Sequence, residues 1–259
     1  MPALSVIIPT YNEAAHIEVA LQSVVWADEL IVVDSFSMDD TLAIARRFPV
    51  RILERAYKSP ADQKNWAIPQ ASHEWVLLLD ADERITPQLA KEIQQLLQQP
   101  PPQDAYWIRR SSFFLGKRIR YSGWQGDKVI RLIRRDRCRY REVQVHEEIA
   151  TEGIQVGQLK AAMDHYTCEE LTPFLEKMRR YGQWSALDHR SRTPRVGYFH
   201  LLVKPLWRFV NHYLLRLGFL DGWRGLLISA IMAWGVFLRY AYLWEWQWKE
   251  RKGGESHKE

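Results

Sequence analysis

Two aspartates, Asp80 and Asp82, stand one residue apart directly after the apolar run of residues 75–79. A run of that length and composition is typical of a strand buried on both faces. Paired carboxylates at the end of such a strand suit a hard divalent cation such as Mg²⁺ or Mn²⁺. A cation held there can bridge two phosphates of a nucleoside diphosphate and neutralise the charge that develops as the diphosphate leaves. Asp-x-Asp pairs are common in loops, so the preceding strand is what makes this pair informative.

Polar side chains also follow two earlier apolar runs of the chain, residues 4–8 and 30–33. The first run leads into Pro-Thr-Tyr-Asn-Glu, and the second leads into Asp-Ser-Phe-Ser-Met-Asp-Asp. Each group by itself has an ordinary structural explanation, as a turn or a helix cap. Because ligands of an open parallel sheet bind at the carboxyl ends of its strands, three such groups in order instead predict one ligand site.

The elements that must position these groups alternate between strand and helix through residues 1–100. Short apolar runs predict buried parallel strands at residues 4–8, 30–33, 50–53 and 75–79. Helical patterns separate them near residues 13–25, 39–48 and 61–71, and a further helix begins at Thr86-Pro87 and continues to residue 97. This order predicts an α/β fold with a Rossmann-like, mostly parallel sheet. After the triple proline 100–102, residues 103–165 indicate mixed strands and loops.

Five short motifs in this first stretch resemble the family 2 inverting glycosyltransferases, which have the GT-A fold. They are Ser-Val-Ile-Ile-Pro-Thr-Tyr-Asn-Glu, Val-Val-Asp-Ser, Asp-Asp-Thr, Gln-Lys-Asn and Asp-Ala-Asp-Glu, within residues 3–100. Over residues 105–248 the chain resembles one subgroup, the lipopolysaccharide core β-1,4-glucosyltransferase-like proteins. That narrower resemblance rests on Gly123-Trp124, Val129-Ile130-Arg131-Leu132, Val145-His146-Glu147, His165-Tyr166 and Gly218-Phe219-Leu220-Asp221-Gly222.

The resemblance implies a set of donor-binding residues in the first half of the chain. Those expected to bind the nucleotide-sugar are Pro9, Tyr11, Asn12, Glu13, Asp34, Lys64, Asn65, Asp80 and Ala81. Asp82 and Asp80 would hold Mg²⁺ or Mn²⁺, and His165 is either a further metal ligand or a structural histidine. The sequence departs from the family pattern at Phe36, where relatives usually carry glycine, so the backbone path of that loop is an open question.

An inverting transfer also needs a general base, which takes the proton from the acceptor hydroxyl as its oxygen attacks the anomeric carbon. Many relatives supply an acid from a Glu-Asp pair in the second half of the chain, and this sequence lacks that pair. The best substitute is Glu147, followed by His146 and then Glu148. The alternative is that these residues end a strand and face water.

Residues 109–141 hold 12 Lys and Arg against two acids, a density beyond that of a routine solvated surface. The cluster fits an anionic acceptor, because the Arg guanidinium binds phosphate and carboxylate groups bidentately. The subgroup resemblance implies such an acceptor, the inner core of a lipopolysaccharide, with Trp124 and Arg131 as candidate contacts. Nucleic acid is the rival partner, but no nucleic-acid-binding motif accompanies the charge, and we expect no nucleic acid to bind.

The last part of the chain is basic and rich in tryptophan. Residues 190–259 hold 12 Lys and Arg, 5 Asp and Glu and six of the twelve tryptophans, a composition typical of a membrane interface. The charge-free stretch 225–238 is shorter than the roughly 20 residues of a span, which favours helices lying in the interface over a span or a buried core. The two cysteines form no metal-binding pattern and no signal peptide precedes the first strand, so we expect a cytoplasmic location.

These expectations combine into one domain plan and one function. Residues 1–165 are expected to form the catalytic domain, with a donor half at 1–100 and an acceptor half at 103–165, before a helical membrane-associating region at 170–250 and a disordered tail at 252–259. The chain is expected to move a hexose, glucose foremost, from a UDP-sugar to a lipid-anchored saccharide, as a peripheral protein on the cytoplasmic face of the bacterial inner membrane. The alternatives are transfer to a polyprenyl phosphate and a non-catalytic membrane scaffold, for which the Asp80/Asp82 pair would be superfluous.

Overall fold

Two compact units make up the chain in the computed structural model, which describes residues 3–141 and 148–255. The first unit comprises Met1–Ser112 and Gly126–Thr167, and the second comprises Phe113–Gln125 and Cys168–Glu259. The chain therefore leaves the first unit after Ser112, returns to it at Gly126, and ends in the second unit from Cys168 onward.

The strands form a sheet in the order β3-β2-β1-β4-β8-β6-β9-β5, with β7 paired to β6. Their bounds are β1 (Leu4–Thr10), β2 (Glu29–Asp34), β3 (Val50–Glu54), β4 (Trp75–Leu78), β5 (Glu83–Arg84), β6 (Ala105–Phe114), β7 (Lys117–Arg118), β8 (Lys128–Arg134) and β9 (Val156–Cys168). Strands β1 to β4 pair in parallel, whereas β8 joins β4 in the antiparallel sense. The predicted α/β class with a parallel donor half is confirmed.

Strands β1, β2 and β4 are buried on both faces, which explains why their sequences are mostly apolar. Strand β3 stands at the edge of the sheet and is only half-buried, so the prediction of a buried strand there is wrong. Val6 and Leu77 belong to a hydrophobic cluster on one face, and Ile7 and Val76 belong to a second cluster on the other. Helices cover both faces, so polar side chains first become possible where the strands end. The sheet therefore concentrates the polar residues of this unit at its carboxyl edge.

The helices are α1 (Ile17–Gln22), α2 (Thr41–Ala45), α3 (Pro60–Ala67), α4 (Pro87–Leu96), α5 (Leu171–His189), α6 (Lys204–Val210) and α7 (Trp223–Glu255). The predicted start of α4 is confirmed, because Thr86 Oγ1 accepts the backbone N–H of Leu89 at 3.2 Å. Ser59 caps α3 in the same way, through the N–H of Asp62 at 3.2 Å. These side-chain oxygens satisfy N–H groups that a helix start leaves without partners.

The second unit is mainly helical, with α5 and α6 packed against α7. Residues 199–215 are helical throughout, with π-type turns on either side of α6. Within the described chain, one helix has the length and apolar composition to cross a membrane, over Trp223–Lys252 of α7. Helix α7 has 33 residues and continues through Arg239, and the expected interfacial position of this region stays a prediction.

A turn of the second unit is held by the carboxylate of Asp221. It accepts the backbone N–H groups of Arg120 and Tyr121, both at 3.0 Å. At the same turn, a Cβ added to Gly218 would lie 2.6 Å from the carbonyl oxygen of His212, so glycine is required there. The Gly-Phe-Leu-Asp-Gly motif therefore has a structural role within this unit.

Candidate functional site

The carboxylate of Asp80, two residues beyond the end of β4, is held by two cations. Its Oδ1 lies 2.8 Å from Lys64 Nζ, and its Oδ2 accepts a hydrogen bond from the guanidinium of Arg131. Lys64 comes from α3, whereas Arg131 comes from β8, whose antiparallel pairing with β4 places it beside the strand end. Both cationic side chains are almost completely buried.

Electrostatics keeps this carboxylate ionised. Burial alone would raise the pKa of Asp80, but the charges of Arg131 and Lys64 lower that pKa far below its usual range. Burial likewise would lower the pKa of Arg131, and Asp80 with Glu83 raises it well above its usual value. The end of β4 therefore carries fixed charges of both signs, of which the two cations are buried and the carboxylate is partly exposed.

A chain of alternating charges continues from Asp80 toward the start of β8. Glu83 is fully buried and accepts from Arg131 Nη2 at 2.8 Å, and Arg110 Nη1 lies 3.5 Å from the same carboxylate. Arg110 in turn donates two hydrogen bonds to Asp127, both at 2.9 Å. Glu83 belongs to the Asp-Ala-Asp-Glu motif, but Arg110 and Asp127 could not be predicted from the sequence, because the pairing of β6 with β8 brings them together from distant positions.

The second aspartate of the pair, Asp82, lies beside His165. Its Oδ2 is 3.5 Å from His165 Nε2, and its carbonyl oxygen accepts the N–H of Tyr166 at 2.8 Å. The antiparallel register of β5 and β9, which aligns Glu83 with His165, produces this contact. The other ring nitrogen, Nδ1, lies 3.1 Å from Thr167 Oγ1, which orients the imidazole.

The chemistry of Asp82 and His165 matches that of a divalent cation site. A carboxylate oxygen and an imidazole nitrogen are both ligands of first-row divalent metals. No group of three or more His, Cys, Asp and Glu side chains suited to a metal occurs in residues 3–141 and 148–255. A cation at Asp82 and His165 would therefore take its remaining ligands from water or from the phosphates of a substrate.

The loop after β2 interlocks with the loop after β1. The fully buried Asp34 accepts the hydroxyl of Ser37 at 2.5 Å and the N–H of the same residue at 2.8 Å. Asn12 donates its N–H to Ser37 Oγ at 2.9 Å and accepts the N–H of Met38 at 2.8 Å. Phe36 has a φ of 62°, so the loop adopts the left-handed conformation without glycine.

The other predicted donor residues take defined positions in the first unit. Pro9 pairs with Val33 across β1 and β2, and the N–H of Glu13 donates to Thr41 Oγ1 at 2.8 Å. Tyr11 is exposed beside them, whereas Ala81 is buried. The structure thus gathers Pro9, Tyr11, Asn12, Glu13 and Asp34 at the ends of β1 and β2, and Lys64, Asp80, Ala81 and Asp82 around the end of β4.

Asn65 is engaged with the backbone of Tyr140. Its amide donates to the carbonyl oxygen of Tyr140 at 2.9 Å and accepts the N–H of the same residue at 2.8 Å. These two hydrogen bonds to the backbone occupy the amide that was expected to hold the base or the phosphates. The expected role of Asn65 stays a prediction, and its observed contact is structural.

Four further predicted site residues differ in where they lie. His146 and Glu147 lie outside the described residues, so the identity of the base stays a prediction. Trp124 belongs to the second unit, where its ring meets Phe114 edge-on at a centroid distance of 6.1 Å. Arg131, expected to contact the acceptor, is buried against Asp80 and Glu83, so its observed partners are acidic residues of the first unit.

Comparison with known proteins gives these features a family context. The family model described as Glycosyl transferase family 2 matches residues 5–151. An uncharacterized glycosyltransferase of Rickettsia typhi is 28% identical, over 97% of this chain and 90% of its own length. The lipopolysaccharide core biosynthesis glycosyltransferase LpsC of Rhizobium meliloti is 25% identical, over 92% of this chain and 93% of its own length.

Solved structures share the fold. The mannosyltransferase PcManGT of Pyrobaculum calidifontis, in complex with GDP-Man and Mn²⁺, has a TM-score of 0.56 at 18% identity, over 94% of this chain and 88% of its own. TarS of S. aureus in complex with UDP-GlcNAc has a TM-score of 0.50 at 19% identity, over 97% of this chain and 92% of its own. These similarities show a GT-A fold, and at such identities they extend to the fold alone.

Proposed function

This chain belongs to glycosyl transferase family 2, and from that premise we propose that it transfers a hexose from a UDP-sugar to a lipid-anchored saccharide, with inversion at the anomeric carbon. The inner core of a lipopolysaccharide is the proposed acceptor, and glucose is the proposed hexose. The relative LpsC, which acts in lipopolysaccharide core biosynthesis, supports this acceptor class. The observation that supports binding of the nucleotide-sugar donor is the pair of buried cations, Lys64 and Arg131, that contact Asp80.

Lys64 and Arg131 can bind the diphosphate of the donor. They place two positive charges at the end of β4, the edge at which ligands of parallel sheets bind. The ammonium group offers three N–H donors and the guanidinium five, so each can serve Asp80 and a phosphate oxygen together. In a buried setting such contacts are stronger than in water, and they oppose the charge that builds on the leaving diphosphate.

Asp82 and His165 fit the divalent cation expected from the fold. Mn²⁺ accompanies the nucleotide-sugar in PcManGT, and Mg²⁺ or Mn²⁺ is proposed here. When bound, the cation would supply Lewis-acid neutralisation of the diphosphate. Thr167 holds Nδ1 of His165, which leaves Nε2 facing Asp82, as is usual for metal-ligating histidines. Asp80 is engaged by two cations, so Asp82 and His165 are the principal proposed ligands.

Glu147 is proposed as the general base, with His146 as the alternative. Either would accept the proton of the acceptor hydroxyl during attack on the anomeric carbon. The described residues on either side of them are joined, since the N–H of Arg141 donates to the carbonyl oxygen of Glu148 at 2.9 Å.

A transfer assay with the full chain tests the proposal. UDP-glucose and a lipopolysaccharide truncated in its inner core should give a product longer by one β-linked hexose. Parallel reactions with UDP-GlcNAc and GDP-mannose identify the donor, and a polyprenyl phosphate as sole acceptor tests the alternative. Transfer to polyprenyl phosphate without transfer to the core would show that the acceptor is the lipid phosphate and not the saccharide. Transfer to neither acceptor with any of the donors would overturn the proposal.

A further inference from the structure

The helical segment 199–215 of the second unit is apolar on its exposed side. Leu202, Leu206, Trp207, Leu214 and Leu215 each keep more than half of their surface exposed, with Leu206 at 64%. The turn that follows, up to Trp223, continues the pattern. A surface helix of a soluble protein shows the reverse, with its apolar stripe turned to the core.

Two polar side chains of the same segment, those of Lys204 and His212, are turned inward. Lys204 Nζ lies 2.7 Å from the hydroxyl of Tyr240 on α7, and His212 Nδ1 lies 2.8 Å from the carbonyl oxygen of Ser122. The segment is therefore inverted, with polar contacts inside the unit and apolar side chains outside. Contiguous exposed apolar surface of this kind marks a contact with a partner or a membrane.

Charge identifies the partner. Residues 198–224 contain Lys204, Arg208, Arg216 and Arg224, and the one acid among them, Asp221, is 4% exposed and bonded to backbone N–H groups. The exposed charges beside the apolar face, on Arg208 and Arg216, are thus both positive. A basic rim around a face of Leu, Phe and Trp matches an anionic lipid surface, whose headgroups attract the cations while the acyl boundary takes the apolar side chains.

Helix α7 meets the length and composition of a span, but its packing argues against crossing. Phe174 of α5 shares a hydrophobic cluster with Ile228, and Ala186 of α5 shares another with Tyr240, so α5 lies along most of α7. Helix α5 exposes charged side chains, namely Glu176, Arg179, Arg180 and Asp188. If α7 crossed the bilayer, α5 would carry these charges into the hydrocarbon, where charged side chains are strongly unfavourable.

We propose that the second unit inserts the exposed face of residues 199–223 into one leaflet of an anionic membrane, and that α7 stays with α5 on the same side of that membrane. The donor site lies in the first unit, so this inference does not depend on which sugar or acceptor the enzyme uses. Membrane binding and sugar transfer can therefore fail independently of each other.

Vesicle binding by the full chain tests the docking face. Leu206→Glu should weaken co-sedimentation with vesicles of phosphatidylethanolamine and phosphatidylglycerol by about tenfold or more. The variant loses the Leu side chain that the membrane would bury, and it adds an acid that anionic lipids repel. The matched control is Leu187→Glu on α5, which replaces a leucine of 51% exposure outside the proposed face and should leave binding unchanged. Added salt should weaken the binding of the wild type.

Unaltered helical circular dichroism and unaltered thermal melts in detergent will show that both variants are folded. Equal binding of the two variants would overturn the proposal. Self-association of the wild type without vesicles, abolished by Leu206→Glu, would also overturn it and assign the face to a second copy of the chain.

Labelling with a membrane-impermeant thiol reagent tests the position of α7. Cysteine is introduced by Lys252→Cys near the end of α7 and, separately, by Lys91→Cys on exposed α4 of the first unit. Background should be low, because Cys138 and Cys168 are buried. Both variants should react only after cells are opened. Labelling of one position but not the other in intact cells would show a span and overturn the one-sided arrangement.

Discussion

Glu83 and Arg131 form a buried ion pair directly behind the first aspartate of the site, with Glu83 Oε1 2.8 Å from Arg131 Nη2. Arg131 also donates to the carboxylate of Asp80, and Glu83 accepts the backbone N–H of Asp80 at 3.0 Å. Glu83 therefore fixes Asp80 both directly, through the backbone, and indirectly, through the guanidinium.

Removal of Arg131 alone should destabilise the protein more than removal of both charges. Arg131→Met leaves Glu83 buried with a weaker counter-charge, and we expect the free energy of unfolding to fall by about 3–5 kcal/mol. The double variant Arg131→Met/Glu83→Gln should recover a large part of that loss. Urea denaturation of the wild type, both single variants and the double variant measures the coupling. Strictly additive losses would show that the two charges act independently.

Asp82→Asn should abolish sugar transfer while leaving the fold intact, because the proposed cation site loses a ligand and a negative charge. UDP release measured against Mn²⁺ and Mg²⁺ concentration checks this, with a thermal melt to confirm folding. Asp136→Asn is the matched control, since Asp136 is an exposed acid paired with Arg135 and should be replaceable without effect. Transfer that continues undiminished in excess chelator would refute the role of the metal.

Glu147→Gln keeps size and hydrogen bonding but removes the proton acceptor. General-base catalysis contributes about 10²–10⁴-fold, so turnover should fall within that range while donor binding stays nearly constant. Single-turnover transfer together with UDP-sugar binding separates the two effects. A fully active Glu147→Gln combined with an inactive His146→Ala would assign the base to His146 instead.

The stability of the second unit should fall as the pH drops below the ordinary histidine value of about 6.5. Burial, with the positive charges of Arg239, Lys204 and Arg208, lowers the pKa of His189, His200 and His212 respectively. The unfolded chain then takes up protons before the folded chain does, so acid favours unfolding and the stability is flat above that pH.

Urea midpoints between pH 5 and 8 test this dependence. The triple variant His189→Gln/His200→Gln/His212→Gln should show a smaller fall in midpoint on the acid side than the wild type. An equal fall in both chains would assign the acid sensitivity to other groups.

The parallel half of the sheet could be predicted because its signal is local. Strands β1, β2 and β4 are short apolar runs, and the residues that follow these runs are the proposed donor-site residues. Strand β9 gives no such signal, since its 13 residues are mostly half-buried and include Gly157 and Lys160. The contact of Asp82 with His165 depends on that strand, so its geometry could not be predicted from the sequence.

Charge counts along the sequence were misleading in two places because the partners are distant. Within the basic window 109–141, Arg134 pairs with Glu74 and Arg141 pairs with Glu152, so part of its charge is neutralised by acids outside the window. Arg239 follows the charge-free stretch 225–238 and predicts an end to the apolar helix, but its guanidinium contacts α5, where it lies 3.4 Å from His189 Nε2. That partner allows α7 to continue through Arg239 as a single helix.

The discontinuous second unit has a consequence for how the chain is made. Phe113–Gln125 leaves the ribosome long before its partners, since the bond from the N–H of Arg120 to Asp221 spans 101 residues. At about 5–20 residues per second, this segment waits roughly 5–20 s for Asp221. Throughout that time Phe114 lacks Ile228, so nascent chains should recruit chaperones there. A nonsense codon after Arg195 would remove Ile228 permanently, and the truncated chain should aggregate.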